Sequence, residues 1–263
     1  MDEHIVYRGE CVKVSVAMAA YNGELYIREQ LESILVQLDT DDEVVVSDDN
    51  PGSEMSKLVW EMAKADSRIR YIEGPSKGVI KNFENAIRQT HGDIIFLADQ
   101  DDVWLPGKVE AVKREFEKGA ILVMHDAKVV DAELNVIEES FFKSHKSRKG
   151  YLRNVWRNSY MGCCMAFDKS LKERILPFPE DLPMHDQYIG LQAENMRFEN
   201  MGKVVLLDTP YLLYRKHGNN VTGGETSFSQ KLQWRRDILK STMTPARVID
   251  YIGEIVTDIM IWT

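Results

Sequence analysis

The chain has 263 residues, enough for one large domain or two small ones with a substantial buried core. Its apolar (44%), aromatic (9%) and charged (29%) fractions are those of a soluble globular protein, and no apolar run reaches the roughly 18 residues a membrane span needs. A net charge of −9 argues against a nucleic-acid binder, which presents a basic face; anionic phosphates would here need a metal ion or local Lys and Arg.

In chain order, residues 13–19 (Lys-Val-Ser-Val-Ala-Met-Ala) are a short apolar run suited to a buried parallel strand. Ile27, Leu31, Ile34, Leu35 and Leu38 then recur at helical spacing. Residues 43–47 form a second strand, Met55, Leu58, Val59 and Met62 mark a second helix, and residues 69–73 are a third strand. A Gly/Pro/Ser loop leads to a helix carrying Phe83, Ala86 and Ile87, followed by a fourth strand at 94–98. This βαβαβαβ order predicts an α/β fold, a mostly parallel sheet with helices on both faces. A further helix begins near Pro106. Beyond residue 120 the pattern loosens. Residues 121–124 read as a strand, 128–130 and 136–137 as short pieces around a polar turn, and 144–149 as a basic exposed loop. Residues 161–167 read as a strand, 185–196 as a helix, and 203–207 and 211–215 as two more strands. The second half is thus expected to be irregular and to build the other wall of a cleft. Residues 245–262 form an amphipathic helix whose polar stripe (Arg247, Asp250, Glu254, Asp258) is mainly acidic. Packing on the domain or on a second subunit suits it better than a membrane surface, which favours Lys and Arg.

Cys11 and the adjacent Cys163 and Cys164 form neither a disulfide framework nor a zinc-ligand spacing. They read as reduced, mostly buried thiols of a cytoplasmic protein, and the opening Met-Asp-Glu-His lacks the features of a signal peptide.

Ligands of open α/β sheets sit beyond the carboxyl ends of the strands. Four polar clusters fall there: Ala20-Tyr21-Asn22-Gly23, Ser47 to Gly52, Gly74 to Gly78 with Lys81 and Asn82, and Asp99-Gln100-Asp101-Asp102. Together they offer an aromatic ring for a base, carboxylates for base and ribose, and a metal site and a cation for a pyrophosphate. In an extended chain Asp99 and Asp101 share one side, where crowded carboxylates call for a hard divalent cation. Asp102 then points away, free to cap the next helix.

The run from Val14 through Asn22, Ser47-Asp48-Asp49, Lys81-Asn82 and Asp99-Gln100-Asp101-Asp102-Val103-Trp104 resembles the family 2 glycosyltransferases with the GT-A fold. His185-Asp186-Gln187 is similar to that family's acidic motif at a helix start. Tyr214-Arg215-Lys216-His217-Gly218-Asn219-Asn220-Val221 resembles the Tyr-Arg-x-His-x-x-Asn segment of the rhamnosyltransferase-like branch. The resemblance covers about residues 10 to 225. It implies inverting transfer of a sugar from a UDP- or dTDP-sugar donor to a saccharide or lipid-linked saccharide acceptor, in bacterial surface-polysaccharide synthesis. By position, Tyr21 and Asn22 border the base, Asp48 accepts from a uracil or thymine ring, and Lys81 neighbours the phosphates. Asp99 lies toward the ribose, Asp101 holds Mg²⁺ or Mn²⁺, and His217 is an extra metal ligand or phosphate contact. Asp186 matches the general base, although an Asp before an apolar-periodic run is also a common N-cap.

These correspondences divide the chain into a 1–225 GT-A domain and a 226–263 helical extension. Within the domain, residues 10–105 bind the nucleotide sugar and 106–225 form the acceptor and catalytic half. Departures include Asp-Asp-Asn-Pro-Gly-Ser for the usual Asp-Asp-Gly-Ser turn, and His185 where many relatives carry Glu. The absent Gln-x-x-Arg-Trp signature favours single addition over polymerisation. Other readings are a haloacid-dehalogenase-like phosphatase, whose Asp-x-Asp normally lies on the first strand, and a non-catalytic sugar-nucleotide-binding subunit. Peripheral association with the inner membrane face and dimerisation through the C-terminal helix both stay open.

Overall fold

The computed structural model describes residues 12–217 and 227–243. The helix expected at residues 245–262 lies outside them, as does Cys11. The first half shows the expected alternation: β1 (Val14–Ala20), α1 (Ile27–Leu35), β2 (Glu43–Asp48), α2 (Glu54–Ala65), β3 (Ile69–Glu73), α3 (Val79–Arg88) and β4 (Ile94–Asp99). β1 pairs in parallel with β2 and β4, and β2 with β3. Helices cover both faces, which is why these strands read as unbroken apolar runs: Val14, Val16, Ala17, Met18, Phe96 and Leu97 are all fully buried. On α3, burying Phe83 alone contributes about 2–3 kcal/mol. The same helix ties two strand ends together, since the Asn82 side-chain amide donates to Ala20 O (3.1 Å) and Ser47 O (2.9 Å).

The second half comprises β5 (Val103–Trp104), α4 (Lys108–Phe116), β6 (Ala120–Val130), β7 (Val136–Glu138), α5 (Phe141–His145) and α6 (Tyr151–Trp156). A 3-10 turn (Gly162–Cys164), β8 (Met165–Asp168), α7 (Lys169–Ile175), α8 (His185–Phe198), β9 (Lys203–Arg215) and α9 (Phe228–Thr242) complete it. Among the described residues nine strands join one sheet, ordered β3-β2-β1-β4-β8-β6-β9-β5, with β7 on β6. Pairing is parallel through β3-β2-β1-β4. It then turns mixed, because β8 runs antiparallel to both β4 and β6 while β9 runs parallel to β6.

Several boundaries differ from expectation. The pieces at 121–124 and 128–130 are one strand, β6; Asp126 and Lys128 interrupt its apolar pattern but not its pairing. The strands at 203–207 and 211–215 are likewise one, and the register shifts beside Pro210, which has no N–H to give the ladder. The strand expected at 161–167 opens as the 3-10 turn and becomes strand only at Met165. Residues 144–145 belong to α5, capped by the Ser140 hydroxyl accepting from Lys143 N–H, so the exposed loop begins later.

Candidate active site

The chain turns at Gln100 and Asp101 immediately after β4, so strict alternation ends at Asp99. As a result Asp102 does not point away. Its carboxylate lies with that of Asp99 and the Cys163 sulfur, their ligand atoms within 4.8 Å of one another. Nor does Asp102 cap α4, whose N-cap is Gly107. It is fully buried and accepts the Arg215 backbone N–H at 3.0 Å, while its second oxygen has no partner among the described residues.

Asp101 instead faces β9. Its Oδ2 lies 2.8 Å from His217 Nε2, and the imidazole stacks on Tyr26 with ring centroids 5.0 Å apart. Arg215, 3% exposed, locks this junction. Its Nε donates to Asp101 O at 2.8 Å, its Nη2 pairs with Glu29 at 2.5 Å, and its guanidinium lies 4.7 Å from the Tyr26 ring centroid. Arg215 stood in the quoted motif without a role; a charged residue ending an apolar strand was its signal.

Charge is crowded here. Burial raises the Asp99 carboxyl to about 7, and repulsion from Asp101 and Asp186 adds to it. Burial likewise holds Asp102 well above the carboxylate range, again with repulsion from its neighbours. Lys108, also fully buried, sits against this group: its Nζ donates to Cys163 O (3.0 Å) and lies 3.8 Å from the Trp104 ring centroid. Burial lowers its ammonium to about 8. Its place four residues before Val112, on the inner face of α4, marked it in the sequence as inward-facing.

α8 begins with Met184 as N-cap and no side-chain cap, which places Asp186 inside the first turn. The N-cap role open to Asp186 is therefore filled by Met184. Burial raises the Asp186 carboxyl to about 6, while the N–H groups of Gln187, Asp186 itself and Gly162, and the Asn158 amide, pull it down. Its charge acts on Asp99, so the two carboxylates face one site. The neighbouring His185 stacks on Phe83 (4.3 Å) and is held neutral, near 4, by burial. A side chain on Gly162 would come within 3.2 Å of its Nε2, so glycine there permits the close approach of the 3-10 turn to α8.

The nucleotide-side residues divide. Tyr21 is 59% exposed on the rim, and Gln100 pins its backbone with two hydrogen bonds of 2.8 Å. Asn22, at φ 51°, accepts from the Asn50 amide at 2.8 Å. Asp48 has no exposed surface. Its Oδ2 accepts from the hydroxyls of Ser56 (2.5 Å) and Tyr71 (3.0 Å), and its Oδ1 from Asn50 N–H (3.0 Å). With these partners the Asp48 carboxylate braces the loop after β2. Lys81 pairs with Glu84 at 2.9 Å and lies 3.5 Å from Phe178 O, so among the described residues it contacts none of the aspartates of the cluster.

Residues 15–176 match the sequence model of "Glycosyl transferase family 2". The chain belongs to this family. Among curated relatives, this family 2 glycosyltransferase is 28% identical over 236 residues to the dTDP-rhamnosyl transferase RfbG of Shigella flexneri, covering 81% of this chain and 76% of that one. It is 27% identical over 168 residues to the GalNAc(5)-diNAcBac-PP-undecaprenol β-1,3-glucosyltransferase of Campylobacter jejuni, covering 61% and 53%. An uncharacterized glycosyltransferase of Nostoc sp. is 22% identical over 216 residues, and there the chain spans 66% of its relative's length. Among solved structures, S. aureus TarS 1–349 in complex with UDP-GlcNAc superposes with a TM-score of 0.67 at 21% identity, over 89% of this chain and 69% of that one. A Pyrobaculum calidifontis mannosyltransferase in complex with GDP-Man and Mn²⁺ gives 0.56 at 17% identity, over 94% and 81%. The fold is therefore GT-A. Membership also sets aside the phosphatase reading. Among the described residues no helix is long and apolar enough to cross a membrane.

Proposed function

We propose that this glycosyltransferase transfers a sugar, with inversion and with the help of a divalent metal, from a UDP- or dTDP-sugar to an acceptor hydroxyl in surface-polysaccharide synthesis. The acceptor is a saccharide, free or lipid-linked, and the reaction takes place on the cytoplasmic side. The observation that carries this reading is Asp186. It is a carboxylate held near 6 in the first turn of α8, close enough to the Asp99–Asp102 cluster for its charge to act on Asp99, and there it serves as the base that takes a proton from the attacking hydroxyl. A non-catalytic nucleotide-sugar binder has no use for a base so tuned. The pyrimidine nucleotide agrees with the dTDP-rhamnosyl relative and the UDP-GlcNAc complex, and the lipid-linked acceptor with the Campylobacter relative.

The donor set fits a hard divalent cation. An imidazole and a carboxylate already meet at 2.8 Å, and of the buried carboxylates beside them Asp99 and Asp102 are both raised by burial and mutual repulsion, with Lys108 the cation set against them. Asp101 and His217 would hold the ion, and Mg²⁺ or Mn²⁺ there supplies positive charge to a diphosphate leaving group. The chain's own residues do the rest. Tyr21 and Asn22 form the rim against which the base rests, Asp99 faces the ribose, and Gly162 leaves room beside His185 and Asp186. Asp186 takes the acceptor's proton as its oxygen attacks the anomeric carbon. Residues 10–105 thus serve the donor and 106–225 the acceptor, with 226–263 as an extension.

A panel of nucleotide sugars with Mn²⁺, read by NMR of the product, tests this reading. The expected result is transfer from a UDP- or dTDP-sugar with anomeric configuration opposite to the donor's, lost in EDTA and restored by Mg²⁺ or Mn²⁺. Retained configuration, or full rate in EDTA, would contradict it.

A further inference from the structure

Residues 141–167 hold six Lys and Arg and no Asp or Glu, in a chain whose net charge is −9. Lys143, Lys146, Arg148, Lys149, Arg153 and Arg157 are all exposed. Elsewhere on the surface cations are commonly paired, as in Lys57–Glu54, Lys118–Glu115 and Arg174–Glu199. Among the described residues, Lys143, Lys146, Arg148, Arg153 and Arg157 have no such carboxylate; Arg153 instead donates to Lys146 O at 3.1 Å, drawing the loop onto α6.

Apolar side chains stand among these cations. α6 buries Tyr151, Asn154 and Val155 and turns Leu152, Arg153, Trp156 and Arg157 outward, with Leu152 40% and Trp156 69% exposed. α9 adds a second outward stripe, Lys231, Leu232 and Arg236, with Leu232 56% exposed. Arg235 joins the two helices. Its guanidinium lies 4.1 Å from the Trp156 ring centroid and donates to Trp156 O at 3.1 Å. An exposed Trp and leucines ringed by Arg and Lys is the chemistry of a surface that rests in the headgroup layer: the ring sits at the interface and the cations meet lipid phosphates.

The geometry points to the α5–α6–α9 face as a docking surface for an anionic phospholipid bilayer. Its position gives this a purpose under the proposed function, on which the inference rests for that purpose alone. Trp156 and Arg157 run directly into Asn158, whose amide acts on Asp186, so the face borders the side from which an acceptor arrives. A lipid-linked acceptor would meet the catalytic carboxylate while its lipid stayed in the membrane.

Vesicle flotation of the full chain tests this without any catalysis. Phosphatidylcholine vesicles with and without 30% phosphatidylglycerol are compared at low and high salt, for wild type, Trp156→Ala and the double variant Arg153→Glu/Arg157→Glu. Binding is expected only with phosphatidylglycerol and should fall with salt. Each cation adds about fivefold in affinity, so the double reversal should lower binding tenfold or more, and Trp156→Ala several-fold, with melting temperatures unchanged. Wild-type flotation that ignores phosphatidylglycerol, or a double variant that floats as wild type does, would overturn the inference. So would retention by soluble polyphosphate, or self-association through Trp156, without vesicle binding. Failure here leaves the transfer chemistry untouched, and loss of transfer in Asp186→Asn leaves flotation untouched.

Discussion

Asp186 shows how one environment sets both a rate and a stability. Because burial raises its carboxyl to about 6, the ionised form that can accept a proton fills in as pH rises through that value. Transfer under kcat/KM conditions should therefore climb about tenfold per pH unit below 6 and level off above it; a flat profile from pH 4.5 to 7.5 would exclude Asp186 as base. Stability runs the other way. The folded value lies above the ordinary 3.8, so the native state binds the proton more tightly than the unfolded chain. The stabilisation present below pH 4 is lost as pH rises through about 6. Asp186→Asn removes the buried charge and should gain on the order of 2 kcal/mol at pH 7.5 and little at pH 4, read from melting curves. Catalytic loss accompanied by a more stable fold is the pattern of a side chain kept for its chemistry.

Among the elements, α8 carries both Asp186, the proposed base, and the packing that fixes the helix. Gly190 faces the Tyr160 ring so closely that an added Cβ would lie 2.2–2.4 Å from three ring carbons. Tyr160 in turn donates to the fully buried Glu194 at 2.9 Å, which also accepts Gly150 N–H at 2.6 Å. Gly190→Ala should cost about 1–3 kcal/mol by denaturant titration, outweighing the roughly 1 kcal/mol that alanine contributes to a helix. The parallel half was legible because its buried central strands leave apolar runs between turn residues, as 94–98 does. α6 escaped because six residues carry too little periodicity, and α9 because Lys, Arg and Gln at six of its fifteen positions break up its apolar pattern. In the site, the motif order brought Asp101 and His217 into view together. The turn at Gln100–Asp101 defeated the alternation argument and returned Asp102 to Asp99. Lys108 shows the remaining gap: a lysine that opens a helix reads as solvated until its burial and its bond to Cys163 O are seen.

Across the whole molecule, the two ends of the reaction sit on differently charged ground. Carboxylates gather where the strands of the parallel half end, a region that a cation and a nucleotide diphosphate would complete. Lys and Arg with no carboxylate partner among the described residues gather on α5, α6 and α9, on the side of Asn158 and Asp186. The sheet's change from parallel to mixed pairing comes at β8, and the 3-10 turn before β8 brings Gly162 beside Asp186 and Cys163 to the acidic cluster. The central claim is that Asp186 takes the acceptor's proton and contributes little to holding the donor. Single-turnover transfer by Asp186→Asn, measured beside calorimetric binding of the donor with Mn²⁺, tests it most directly. The expected result is a loss of transfer of 10² to 10⁴-fold with donor affinity within about threefold of wild type. Transfer at the wild-type rate, or donor affinity falling in step with the rate, would contradict it.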